Sequence, residues 1–228
     1  MRIGVLAATA VLVSCLVGCT DAREWSYEAD APTVRAPVLA KRVVVPPLND
    51  LRSSENDNMF FIWIAFPLVP YDSETYHRPE RLHIWEFYGF APCDPVHDVA
   101  KAIADELDHS GLFTEVAYSP AGDGGELILK GDLIALSDKR WKTLYGLGWL
   151  GLNFLLVGAP IGQTTHELTL KLTLVEADTG TVLWSKTFNE RDKQTEWVYA
   201  TDFTLRHPGL LKTELRQAIG SMETALTQ

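Results

Sequence analysis

The most regular alternation of hydrophobic and polar residues lies at Thr165–Val175. His166, Leu168, Leu170, Leu172 and Leu174 occupy every second position, with Glu167, Thr169, Lys171 and Thr173 between them. Side chains of a strand point alternately to its two faces, so this period predicts a strand with one buried side. Asp178-Thr179-Gly180 predicts a turn into a second strand, Thr181–Phe188, and the two form an antiparallel hairpin. Helical spacing appears twice. Val96, Val99, Ala100, Ile103 and Leu107 share one face of a segment that opens with Asp94 as N-cap and Pro95 at the first helical position. Gly111 supplies its left-handed stop. The second segment is Pro208–Leu226, with Leu211, Leu215, Ala218, Ile219, Met222 and Leu226 on one side.

Three further strands are expected. Arg42-Val43-Val44-Val45 is β-branched and is stopped by Pro46-Pro47; Glu115–Ser119 follows the first helix; Glu126–Leu136 is long and apolar, with Gly131 as a candidate bulge. The expected fold is α+β: one mixed, mainly antiparallel sheet of about five strands with two helices on one face, plus an apolar insert. It occupies residues 41–228, with inserts at 59–93 and 141–164.

Two stretches break the amphipathic pattern. Met59–Val69 (MFFIWIAFPLV) is strongly apolar but too short to span a bilayer. Tyr145–Gly162 (YGLGWLGLNFLLVGAPIG) has no charge, yet contains five glycines and is interrupted by Asn153 and Pro160. Three readings compete for it: a buried insert packed on Met59–Val69, a protein–protein interface, or a membrane-dipping segment. The buried reading is favoured over the other two, and an exposed patch of that size would signal a partner or lipid. Trp63, Phe66, Trp149 and Phe154 are the candidate interaction residues.

The N-terminus has a different pattern. Met1-Arg2 is followed by an apolar run from Ile3 to Val17, the length of a secretion-signal core rather than a membrane span. The run ends in Leu16-Val17-Gly18-Cys19, which resembles the lipobox of bacterial lipoproteins; a rival, Leu12-Val13-Ser14-Cys15, leaves a cramped apolar core. The resemblance implies cleavage of residues 1–18 and diacylglycerol on Cys19, with acyl chains that anchor the chain to a membrane. In enteric bacteria an Asp directly after the lipidated Cys resembles an inner-membrane retention signal. Thr20 stands there, so the periplasmic face of the outer membrane is the expected location. Residues 19–40, irregular and proline-containing, read as a flexible tether.

The chain has 228 residues and a formal net charge of −10. Loss of Arg2 with the signal brings the charge to about −11, which argues against nucleic acid and against electrostatic adhesion to anionic lipid. Of three cysteines, Cys15 leaves with the signal and Cys19 takes lipid, so Cys93 alone remains, buried and inert or reactive toward a partner.

Taken in order, the segments VVVPPLND, IADELDHSGLFTEV, ELILKGDL and LTLKLTLVEADTGTVLW resemble the small α/β domain of the curli-secretion lipoprotein, the N-terminal domain of the Tol-system propeller protein and transport-auxiliary lipoproteins. The likeness covers Lys41–Lys186. A second likeness is to Gram-negative lipoproteins with an apolar-PLVPY…RPE stretch, here Phe66–Tyr71 and Arg78-Pro79-Glu80, from which no catalytic residue can be carried over. The first resemblance implies a membrane-tethered interaction or assembly module of an envelope complex, with an unidentified envelope protein as partner. A pore or membrane-inserting subunit built on the apolar inserts is the alternative.

No catalytic motif is present. Phosphate-loop, nucleophile-elbow, His-Glu-x-x-His and calcium-loop patterns are all missing from the sequence. Cys93 and His97 are the one nucleophile-like pair, without an orienting residue. The spacings of His77, His83, Cys93 and His97 match no compact zinc site. The expectation is therefore a non-enzyme with no cofactor and no metal.

Overall fold

A face of leucines on two neighbouring strands forces this chain to fold around one sheet. In the computed structural model, which describes residues 25–54, 72–81, 93–197 and 205–227, strands β1 (Leu39–Val45), β2 (Asn49–Asp50), β3 (Asp72–Tyr76), β4 (Phe113–Tyr118), β5 (Leu127–Lys142), β6 (Pro160–Glu176) and β7 (Val182–Trp197) form a single seven-stranded sheet. The main order is β4-β1-β5-β6-β7, and β2 and β3 attach to β5. The sheet is mixed. β1 runs parallel to β4 and β5, β2 is parallel to β5, and the β3–β5, β5–β6 and β6–β7 pairs are antiparallel.

Helices α1 (Pro95–Ser110) and α3 (His207–Leu226) cover the leucine face, and a five-residue α2 (Leu152–Leu156) lies in the β5–β6 connection. Asp94 and Gly111 bound α1 as its sequence predicts, with Gly111 left-handed at φ 66°. Between helices and sheet lie Val99, Ile103 and Leu107 of α1, Leu211, Leu215 and Met222 of α3, and the leucines of β5 and β6, all at most 1 % exposed. Burying each such side chain contributes about 1.5–3 kcal/mol, which makes this layer the main source of stability.

The structure corrects four sequence expectations. The sheet has seven strands rather than five, because β2 and β3 are short polar segments with no alternation of their own; the edge of β5 pairs with them. A third helix joins the two expected. Residues 141–164 are no separate insert: β5 and β6 extend through Lys142 and Gly162 in continuous register, leaving only the connection at the tip. Finally, Trp25–Val38, read as tether, is bound to the domain. Trp25 and Tyr27 pack on the core, the Tyr27 hydroxyl donates to buried Glu106 at 2.7 Å, and the amide of Thr33 donates to the His109 carbonyl at 2.7 Å.

The bulge in β5 falls between Leu133 and Ala135 rather than at Gly131. A Cβ at Gly131 would lie 2.4 Å from Leu48, so this glycine makes room for that side chain. The bulge reverses the parity of the strand. Leu127, Leu129 and Leu133 are inward before it, and Leu136, Asp138, Arg140 and Lys142 are inward after it.

Candidate functional site

Past the bulge, the inward face of the sheet changes from leucine to charge. Register sets Tyr76 beside Asp138 and Asp138 beside His166; the next rung sets Glu74 beside Arg140 and Arg140 beside Thr164. All are buried. Asp138 lies at the centre. Its Oδ1 accepts from His166 Nδ1 at 2.6 Å and lies 3.6 Å from His207 Nε2, while its Oδ2 is 3.8 Å from Arg140 Nη2. Burial alone would push the Asp138 carboxyl up. The His166 hydrogen bond and the neighbouring His207, His166 and Arg140 charges outweigh it and hold the group well below the usual carboxylate range.

His207 reaches this centre from the first turn of α3, and its Nε2 also donates to the Ser137 carbonyl at 3.4 Å. The two imidazoles meet edge to face, with centroids 5.6 Å apart. The Arg140 guanidinium lies 5.5 Å from the Tyr76 ring centroid, and the Tyr76 hydroxyl donates to Glu74 at 2.6 Å. Thr164 donates to Glu196 across the β6–β7 ladder. Donor atoms of Asp138, His166 and His207 lie within 4.8 Å of one another, a spacing a divalent cation could use. The guanidinium already supplies positive charge to the same carboxylate. The grid therefore ties β3, β5, β6 and the start of α3 together as a desolvated ionic network.

A second ionic cluster holds β2. Arg52, 2 % exposed at its side chain, is bidentate to Asp50 and to Glu80, and Arg78 Nη1 reaches Asp50 at 2.6 Å. Burial opposes ionisation of Asp50, yet the hydrogen bonds from Arg52 and Arg78 bring its carboxyl down to about 2. Arg78 and Glu80 of the RPE stretch are thus structural clamps. Cys93 is half-buried, and burial followed by the Asp98 carboxylate pushes its thiol up to about 12, so it is held as the thiol. His97 pairs with Tyr118 and Asp94.

Above the grid, the β5–β6 connection presents a different surface. Trp149 is 69 % exposed and Phe154 is 46 % exposed. Among the described residues fourteen large hydrophobic side chains are exposed, and eight of them fall between Tyr145 and Val157. The connection has a small core of its own in Leu144 and Leu155, with Ile161 packed on them. Tyr145, at φ 59°, and Gly146, at φ 71°, turn the chain back, and the Tyr145 hydroxyl closes the loop by donating to the Pro160 carbonyl at 2.6 Å. Most of the connection's large apolar side chains are thus exposed, and Met59–Val69, on which the favoured expectation packs them, lies outside the described residues.

Of the sequence-derived candidates, Trp149 and Phe154 share this tip, whereas Cys19, Trp63 and Phe66 lie outside the described residues. The sequence reading placed His166 on the buried face but missed Asp138, Arg140, Glu74 and His207. The one available signal was a histidine heading a row of buried leucines. Its partners depend on the β5 bulge.

No protein-family model and no curated protein matches the chain. Among solved structures, a Xanthomonas campestris protein of the family model DUF330 aligns with a TM-score of 0.50 at 13 % identity, covering 89 % of this chain and 94 % of that one. The PelC dodecamer of Paraburkholderia phytofirmans aligns at 0.35 and 14 % identity, covering 89 % and 96 %. The lipoprotein GNA1162 of Neisseria meningitidis aligns at 0.28 and 12 % identity, covering 80 % and 98 %. The first of these is a likeness of fold: this chain shares the α+β architecture of the Xanthomonas protein.

Proposed function

We propose that the chain is a lipid-anchored, non-enzymatic interaction and assembly module of a bacterial cell envelope, held on the periplasmic face of the outer membrane. The observation that carries this reading is the sequence Leu16-Val17-Gly18-Cys19 at the end of an apolar run of signal length. The architecture supports it: the charged side chains of the grid are buried and mutually paired rather than open to a substrate, and the exposed surface that stands out is the apolar tip with Trp149 and Phe154. Labelling with an acyl-chain probe tests the anchor. The wild-type chain gives a labelled band and Cys19→Ala gives none; equal labelling of Cys19→Ala, with loss in Cys15→Ala, would move the site to Cys15. Density fractionation tests the location, which fails if the protein travels with inner-membrane markers. A second reading, a subunit of an oligomeric pore, draws on the same tip. Against it, residues 145–162 lack the strict alternation of a barrel strand.

A further inference from the structure

We infer that the β5–β6 tip is a lipid-binding surface that dips into the same membrane as the acyl chains on Cys19. This deepens the lipid-anchored reading above and rests on it. Two independent observations carry the inference, one from the order of side chains along the tip and one from the path of the N-terminal segment.

From Thr143 to Thr165 the chain holds no charged residue, and Trp149, Leu150, Leu152, Leu156 and Val157 are between 49 and 82 % exposed. Behind them Trp141, Tyr145 and Trp197 are each 39–40 % exposed, and register puts Trp141 opposite Gln163 and Trp197 opposite Pro160, so that the two tryptophans bracket the Gly162 rung. The charged Lys142 and Glu196 at this level are buried, and the exposed charges Lys139 and Lys193 stand farther from the tip. Apolar tip, aromatic collar and charged body follow one another as acyl chain, headgroup and water do across a membrane interface. No helix of the described residues is long and apolar enough to cross a membrane; the inferred contact is interfacial. With a protein of net charge −10, the attraction is apolar rather than electrostatic.

The described part of the N-terminal segment heads toward the same end. α3 starts at the grid, where His207 meets Ser137 and Asp138, and runs away from the tip, so that Ser221 reaches Trp184 at the far end of β7. Along α3, the Glu28 carbonyl accepts from Lys212, Asp30 pairs with Lys212 and Arg216, and Arg35 pairs with Glu223. Read backward from Arg35 to Glu28, the chain travels toward the tip end. Trp25 is six residues from Cys19, a reach of at most about 20 Å. Grid and tip rungs are four residues apart on β5, about 13 Å. A chain of that reach lets the acyl chains and the tip enter the membrane from one end of the molecule, where the acyl chains would hold the tip against the bilayer.

The test uses the full chain, purified from membranes and reconstituted in vesicles of phosphatidylethanolamine and phosphatidylglycerol. A Cys93→Ser background carries a nitrobenzoxadiazole probe through Leu150→Cys or, as a control at the opposite end of the sheet, Val182→Cys. The probe at 150 is expected to shift to the blue, to be quenched by doxyl-labelled lipid and to resist aqueous iodide, with the reverse at 182. Iodide quenching at 150 equal to that at 182 overturns the proposal. Shielding at 150 from both quenchers also overturns it, because a second copy then covers the tip. Mass analysis of the Cys19 peptide separates the two readings. If Cys19 carries no lipid, the anchored reading fails, and the tip is judged by sedimentation with the same vesicles. There Trp149→Glu should lower the bound fraction at least tenfold, and unchanged binding would count against lipid contact.

Discussion

Ionising a carboxyl group at the position of Asp138 is costly, because no water reaches it, yet its neighbours supply enough positive charge and hydrogen bonding to keep it ionised. Removing that charge takes from His166 its carboxylate acceptor in a low-dielectric interior, and breaking a buried pair from one side costs about 3–5 kcal/mol. Asp138→Asn should therefore lower unfolding stability in urea by roughly that amount. A loss within error of zero would show that the grid is energetically idle. Because the folded carboxyl is depressed, the contribution of Asp138 is present above its unfolded value of 3.8 and fades as pH falls below it. Glu214 behaves in the opposite sense. It is 1 % exposed on α3, and burial raises its carboxyl to about 9 from 4.5, outweighing the Glu190 backbone that lowers it. It is protonated in the fold at neutral pH. Its contribution is fully present below pH 4.5 and is lost as pH rises toward 9. Glu214→Gln should flatten the decline in stability across that window, and a parallel pH profile for the two proteins would refute the assignment.

The glycines of the tip act at the level of the element. A Cβ on Gly162 would stand 2.1 Å from the Trp141 carbonyl oxygen and 3.0 Å from the Lys142 Cα, both backbone atoms that cannot swing aside. The two strands can approach at this rung because a glycine is there. Gly162→Ala should cost about 1–3 kcal/mol, the usual range for overpacking. It should also speed amide exchange at Lys142 and Thr143, whose ladder it forces apart; unchanged exchange would place the rung elsewhere. The N-terminal segment is the other element whose role lies in its attachment. Tyr27→Phe deletes the phenol that donates to Glu106 at 2.7 Å, leaving that buried carboxylate with the Asp30 amide as its remaining partner on the segment. A loss of about 1–3 kcal/mol is expected, together with easier proteolysis before Thr33. A segment already loose in the native protein would show neither change.

For the whole molecule, the long β5–β6–β7 blade separates a stabilising end from an exposed apolar end. Its base carries the leucine core and both long helices, its middle the charged grid, and its tip the exposed apolar connection. β7 is the last strand of the sheet, and its outward positions include Arg191 and Lys193, charges that discourage edge-to-edge pairing with another chain. This division predicts that Trp149→Glu leaves the fold intact. Its urea midpoint should stay within about 0.5 kcal/mol of the parent, as for a surface substitution. A cooperative loss of several kcal/mol would return Trp149 to the core.

The sequence by itself determined the elements whose signals are local. Asp94, Pro95 and Gly111 bound α1 because capping depends on a few neighbouring dihedrals, and the β6–β7 hairpin was legible because its alternation and its Asp-Thr-Gly turn lie within one stretch. The resemblance of Leu16-Val17-Gly18-Cys19 to a lipobox is local too. Tertiary structure decided the rest. β2 and β3 have no strand pattern and exist because the edge of β5 offers hydrogen bonds to them. Alternation continued from Leu127 would have turned Ser137, Lys139 and Trp141 inward; the bulge after Leu133 turned Asp138, Arg140 and Lys142 inward instead, and so created the grid. Composition likewise gave Tyr145–Gly162 as apolar without saying which way it faces. Exposure depends on what lies across from a segment, and for this tip that was fixed by how far β5 and β6 run beyond the helices that cover their base.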